Sequence, residues 1–333
     1  MTDGLPLLVD HLRGYYALTT LAMGRRSGAL GVLLDGPSTS ADLAARAGLD
    51  ARSADLWLRS MAAAGHAHHE AGTFTIDEQT ASILGPDFPV DFGAVLDVVH
   101  AAFAPPLQEA TTAMVTGRGV PSAAYAELAA AASPANTPTY RMALVEEWIG
   151  AAPDLVARLQ AGGRIADIAC GGGDAAALMA AAFPEAEVVG YDPATPDGVH
   201  EDVPNLRLVR DQAARLPADA SFDLVTCLDA FHHLPAADVA RQVHAALRDG
   251  GVFLLAETAL TGDVDEDGAD PFSLIAHAAA LVYCLPENLA NGGTGETPSI
   301  GLDWVQRALD DAGFSAVTSF VSETGYRIFH AVR

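Results

Sequence analysis

Apolar and polar positions follow two rhythms along the 333-residue chain, and the change between them divides it. The first part has helical spacing. A long apolar stretch, Leu12 to Leu34, is followed by Gly36-Pro-Ser-Thr-Ser40 and by helical patterns over Ala41 to Ala47 and Ala51 to Ala64. Ser38 or Ser40 is placed to cap the first of these and Asp50 the second, with Asp42 where the helix dipole favours an acid. Thr73-Phe-Thr-Ile76 alternates with period two and reads as a short strand after His66-Ala-His-His-Glu70. Helical spacing returns between Phe92 and Ala151, broken at Pro105-Pro106, Gly117 to Pro121 and Ser133 to Pro138. Beyond residue 151 short apolar runs alternate with helical stretches. Arg164 to Ile168, Glu187 to Asp192, Leu206 to Asp211, Phe222 to Leu228, Val252 to Ala256, Ala316 to Phe320 and Tyr326 to Val332 read as strands. Strands alternating with helices predict an α/β unit around a largely parallel sheet.

The first of these strands carries the chemistry. Arg164-Ile-Ala-Asp-Ile-Ala-Cys-Gly-Gly-Gly-Asp174 is a buried strand, a glycine turn and a helix start. Glycines allow a ligand to approach the backbone, and the free N–H groups of a helix start favour an anion. The second strand ends at Asp192, an acid suited to ribose hydroxyls, and the third at Asp211, suited to an adenine amine. The turn lacks the G-x-G-x-x-G spacing of dinucleotide sites.

On these residues the chain resembles the class I S-adenosylmethionine (SAM) dependent methyltransferases, from about residue 150 to 333. Their first motif is Asp/Glu-x-Gly-x-Gly-x-Gly, and Ala169 stands here where the first glycine usually is. Phe222 to Leu228, the loop Asp229-Ala-Phe-His-His-Leu-Pro235, and Asp249-Gly-Gly251 before Val252 follow in the family's order. The resemblance implies a Rossmann-like seven-stranded sheet and SAM as cofactor, with S-adenosylhomocysteine as product. It assigns cofactor contacts to Asp167, Ala169, Gly171, Gly173, Asp192, Asp211, Gln212, Leu228 and Asp229.

The resemblance extends to a two-domain layout. Residues 1–95 are expected to form a mostly helical winged-helix domain used for dimerisation and for walling the substrate pocket. Residues 96–150 are expected to be a helical linker, and 151–333 the catalytic domain, with an insertion at 261–299 as lid or floor of the substrate pocket. A winged helix also suggests DNA. Residues 1–95 hold six arginines against eleven acids, within a chain of net charge −25, and DNA binding needs a basic surface. Nucleic acid is therefore excluded as a partner, and a homodimer is expected.

Composition narrows the rest. No run of about 18 uncharged apolar residues is present, so no membrane span is expected. The start, Met1-Thr-Asp-Gly4, lacks the basic residues of a secretion signal. Cys170, Cys227 and Cys284 show no C-x-x-C spacing, which predicts free thiols in a cytoplasmic chain and no structural metal.

Methyl transfer from a sulfonium depends mainly on positioning, and a base is needed only when the acceptor must lose a proton. His232 and His233 follow the fourth strand. In the O-methyltransferases that share the winged-helix domain, the motif Leu/Cys-His-Asp-x-x-Asp places a catalytic histidine there. The carry-over falls on His232 as general base, with His233 where the family has an acid. Glu257, at the end of the fifth strand, is expected to orient His232 or to bond the substrate. Trp148, His277 and Tyr283 are the expected substrate contacts, and their aromatic character suits a small aromatic or polyketide-like acceptor in secondary metabolism. O-methylation is the first expectation. A non-methylating enzyme on the same fold and a SAM-sensing regulator are the alternatives.

Overall fold

The structure is a computed structural model that describes residues 5–76, 78–85, 91–103, 107–211, 215–268 and 273–333. The chain divides into two compact units, residues 1–101 and 102–333.

In the first unit, helices α1 (Leu5–Ser27) and α2 (Ala29–Leu34) replace the single helix expected from the apolar run. Gly28 breaks it with a φ of 79°, a left-handed conformation that glycine adopts without a Cβ penalty. Strand β1 (Ser38–Thr39), α3 (Ser40–Ala47) and α4 (Ala51–Ala64) follow. The cap of α3 is Thr39 rather than Ser38 or Ser40, since its side chain accepts from the N–H of Asp42. Asp50 caps α4 as expected. Strands β2 (Ala67–Glu70) and β3 (Thr73–Ile76) form a hairpin, and β1 joins them in an antiparallel sheet of order β1-β3-β2. Helices α5 (Glu78–Leu84) and α6 (Phe92–Phe103) follow, so α6 runs across the boundary expected at residue 95. Leu33, Leu43, Leu58, Met61 and Phe74 form the core. Gly24 is needed on α1 because a Cβ there would lie 2.3 Å from the Trp57 ring.

The second unit begins with α7 (Leu107–Thr116) and a 3-10 turn at Ser122–Tyr125. Helix α8 (Ala126–Ala143) runs straight through the expected break at 133–138, with Pro134 and Pro138 inside it. Each proline removes a helical hydrogen bond. Packing outweighs that cost, because Tyr140, Ala143 and Leu144 belong to the same buried cluster as the sheet residues Ile165, Leu224 and Leu254. The stretch 102–150, most of the expected helical linker, belongs to this unit. A π-helical turn, Leu144–Ile149, leads to α9 (Pro153–Gln160).

The remaining elements are β4 (Arg164–Ile168), α10 (Asp174–Ala182), β5 (Glu187–Tyr191), β6 (Leu206–Val209), β7 (Phe222–Leu228), α11 (Ala236–Ala246), β8 (Leu247–Thr258), α12 (Val264–Asp267), α13 (Ser273–Ala279), α14 (Leu285–Ala290), α15 (Asp303–Ala312), β9 (Ala316–Val321) and β10 (Tyr326–Val332). The seven strands order as β6-β5-β4-β7-β8-β10-β9. The first five run parallel, and β10 is antiparallel to β8 and β9. Every residue of β7 is buried, as a strand covered by helices on both faces requires. One layer holds Val239, Val243, Trp304 and Leu309 of α11 and α15, and the other holds Trp148 and Met179. The strand order reverses between β4 and β7, the switch point at whose C-terminal strand ends open α/β sheets bind ligands. Among the described residues no helix is long and apolar enough to cross a membrane.

Candidate active site

The glycine turn lies at the C-terminal end of β4. Ala169, Gly171 and Gly173 take φ values of 54°, 54° and 84°. Ala169 holds this left-handed geometry despite its Cβ, at about 1–2 kcal/mol. Asp192 closes the turn: it accepts from the N–H of Gly171 at 3.0 Å and from that of Ala194 at 2.7 Å. The N–H of Asp192 donates to Val209 at 3.1 Å, which brings the ends of β5 and β6 together. Asp211 lies just past β6, with Arg215 at 3.3 Å. Gln212 lies outside the described residues.

Asp167 is buried within β4. Its Oδ1 accepts from Thr226 at 2.6 Å, while Oδ2 has no hydrogen-bond partner among the described residues. Burial pushes its pKa up to about 7, against the lowering effect of Thr226. A buried carboxylate oxygen without a partner fits a cationic ligand group.

Helix α8 adds residues that the sequence reading missed. Ser133 donates to Asp174, the first residue of α10, and a Cβ on Gly172 would lie 3.2 Å from the Ser133 hydroxyl. Asn136 donates to Asp229 at 3.4 Å, and the Tyr326 hydroxyl donates to the same oxygen at 3.2 Å. The polar cluster Ser133-Pro-Ala-Asn-Thr-Pro138 was the available signal, and its prolines made it read as a break. Asp229 has a φ of 53°, a strained conformation of the kind that collects at functional sites. Leu228 is buried, and its carbonyl accepts from Tyr140 at 3.4 Å.

The histidines occupy a 3-10 turn, Phe231–His233. Nδ1 of His232 lies 2.6 Å from Oε2 of Glu257, and the backbone N–H of His232 donates to Oε1 at 3.2 Å. Both side chains are buried. Burial alone would lower the imidazole pKa, but the Glu257 carboxylate and Cys284 hold it well above the ordinary histidine value. Nδ1 of His233 lies 2.9 Å from Oε2 of Glu287, an ion pair without an aligned hydrogen bond. Burial raises the Cys284 thiol, but His232 and His233 reverse this and bring it to about 7. His232, His233 and Cys284 each offer a ligand atom within 4.8 Å of the others. The cysteine spacing gave no hint of that grouping.

The three expected substrate contacts separate. Trp148 has no exposed surface, and its indole N–H donates to Ser322 at 3.1 Å. It is a core residue beneath Tyr140 and Tyr326, not a pocket wall. Tyr283 is half-buried, with its ring 4.4 Å from that of His233. His277 is half-buried on α13 and acts electrostatically on Asp267.

Residues 165–251 match the family described as methyltransferase domain. These residues are a methyltransferase domain. The match runs from β4 into β8 and so contains the glycine turn, Asp192, Asp229 and both histidines. No curated protein matches the sequence. Solved structures resemble the whole chain. An O-methyltransferase family protein from Burkholderia thailandensis has a TM-score of 0.71 at 19% identity, covering 99% of this chain and 98% of that one. Human N-acetylserotonin methyltransferase, solved with SAM, has 0.68 at 17% identity, covering 100% and 98%. CalO1, a methyltransferase in calicheamicin biosynthesis, solved with S-adenosylhomocysteine, has 0.61 at 17% identity, covering 100% and 98%. The chain therefore shares its fold with these structures along its full length.

Proposed function

We propose that the protein transfers the methyl group of SAM to a hydroxyl oxygen of a small-molecule acceptor, with His232 as general base. The observation that carries this reading is the buried pair of His232, on the loop after β7, and Glu257, at the end of β8.

The residues fit the cofactor. Asp167 would meet the methionine ammonium, since its Oδ2 lacks a partner. Gly171 and Gly173 give backbone access. Asp192 and Asp211 sit at adjacent strand ends, placed for the ribose hydroxyls and the adenine amine. When bound, SAM supplies an electrophilic methyl group on a sulfonium. The chain's own work is to orient the acceptor, to exclude water and to take one proton. Glu257 holds the proton on Nδ1 of His232, which leaves Nε2 as the basic nitrogen. Nε2 would then take the hydroxyl proton of the acceptor. The Glu257 carboxylate stabilises the resulting imidazolium.

Tyr283 and His277 serve as acceptor contacts in this reading, and the segment 261–299 as the lid. CalO1 works in the biosynthesis of a natural product, which favours an acceptor from secondary metabolism. We read the first unit as a winged-helix dimerisation module. Leu8, Leu12, Tyr15 and Tyr16 on α1 are each about 60% exposed, a face suited to a second copy.

Calorimetric titration with SAM and S-adenosylhomocysteine, then an acceptor screen by mass spectrometry, tests the reading. Binding of both and a methylated hydroxyl product are expected. Absence of binding by either ligand would overturn it.

A further inference from the structure

His233 and Cys284 have no part in the mechanism above, yet the fold brings both to His232. One ligand atom from each of the three lies within 4.8 Å of the others. The imidazole nitrogens are not equivalent. Nδ1 of His232 is 2.6 Å from Glu257, and Nδ1 of His233 is 2.9 Å from Glu287. The hydrogen bond to Glu257 fixes the His232 tautomer and makes its other nitrogen the better ligand, while Glu287 gives His233 a charge partner. A carboxylate behind the ring supports most metal-binding histidines, and here each of two adjacent histidines faces one, His232 through a hydrogen bond and His233 through an ion pair.

The elements carrying the three residues are tied together. The Asn288 amide donates to the carbonyls of His232 at 2.9 Å and Leu234 at 3.3 Å, and the Asn291 amide donates to the carbonyl of His233 at 3.0 Å. Tyr283, next to Cys284, packs against the His233 ring. Glu287 is buried, and His233 is the cationic partner that offsets the cost of burying its charge.

We propose that His232, His233 and Cys284 form a three-ligand site for a soft divalent cation of the zinc class, with Glu257 and Glu287 as its outer carboxylates. Two imidazoles and a thiolate are a zinc donor set. A tetrahedral centre with bonds of about 2.0–2.3 Å holds its ligands about 3.3–3.6 Å apart. The three donors therefore need to close by about 1.5 Å at most. Cation binding releases the thiol proton and takes up the His232 nitrogen that Glu257 does not hold. Loading the site thus removes the base from service, and this inhibitory consequence rests on the function proposed above. Binding itself does not.

The test is a titration of the metal-stripped full-length protein with Co2+. One equivalent should produce a thiolate-to-cobalt charge-transfer band that Zn2+ abolishes. Cys284→Ser should lose the band while circular dichroism stays native. Glu287→Gln should weaken Co2+ affinity by about 10–100-fold, the usual effect of removing an outer carboxylate. No band in the wild type, an unchanged band in Cys284→Ser, or unchanged affinity in Glu287→Gln each overturns the site. If Cys284→Ser does not fold, Glu287→Gln decides. Turnover with and without Zn2+ separates the two readings. Band formation with full inhibition supports both. Band formation with undiminished turnover keeps the site and removes His232 as base.

Discussion

Glu257 holds His232 at two points: Oε2 meets Nδ1 at 2.6 Å, and Oε1 accepts the backbone N–H of the same residue at 3.2 Å. One buried carboxylate thus fixes both the ring and the turn that carries it. Glu257 ends β8 and His232 follows β7, and these neighbouring parallel strands keep Leu228 opposite Ala256. The contact comes from sheet register, between residues remote in sequence.

Glu257→Gln tests this relationship. Glutamine keeps the shape and loses the charge that favours imidazolium. Turnover should fall by about 10²–10⁴-fold, the usual range for base catalysis, while SAM affinity stays unchanged. Calorimetry and single-turnover rates measure the two effects. Equal loss of both would mean that Glu257 is structural only.

The pH profile follows from the raised pKa of His232. A base works only when deprotonated, so turnover should be low near neutrality. It should rise with pH through a value above the ordinary imidazole pKa of about 6.5. In Glu257→Gln the rise should move to lower pH. A kcat independent of pH across that region would remove the base.

Asp167 gives a pH dependence to binding. Its pKa near 7 in the folded chain lies above the unfolded value of about 3.9. Between those values the folded state binds the extra proton, so ionisation of Asp167 lowers stability as pH rises. A cationic ligand group offsets that loss. SAM affinity should therefore increase with pH up to about 7 and then level off. Asp167→Asn should cost about 1.5–3 kcal/mol of binding and flatten this dependence, both read by calorimetry.

Trp148→Ala should destabilise the second unit by about 3–5 kcal/mol, because a large, fully buried ring leaves a cavity. Trp148→Phe should cost less, retaining most of the packing and losing the bond to Ser322. Urea unfolding measures both. Near-native stability in Trp148→Ala would return Trp148 to the list of substrate contacts.

Gly173→Ala should weaken both stability and SAM binding. Its φ is 84°, and a Cβ there would lie 2.8 Å from Leu208. A cost of about 1–3 kcal/mol is expected, read by thermal unfolding with and without SAM.

Much of the second unit was legible in the sequence. The strands Arg164 to Ile168, Phe222 to Leu228 and Tyr326 to Val332 lie where the apolar runs put them. Gly173 sits at the start of α10, as the glycine turn implied. The misreadings share a cause. Pro134 and Pro138 signal a break locally, but burial of one face of α8 against the sheet outweighs two lost hydrogen bonds. Ser133 and Asn136, which reach the glycine turn and Asp229, were hidden by that misreading.

The sequence by itself determined the strand order of chemistry: a glycine turn after β4, acids after β5 and β6, and histidines after β7. These are local signals, because each depends on neighbours in the chain and on the two periodicities of strand and helix. Only the tertiary structure decided which of those residues meet. Trp148 went to the core and Cys284 came to the histidines, while Glu257 and Glu287 each took one imidazole. Such pairings depend on strand register and on the packing of helices remote in sequence, and no local pattern encodes them.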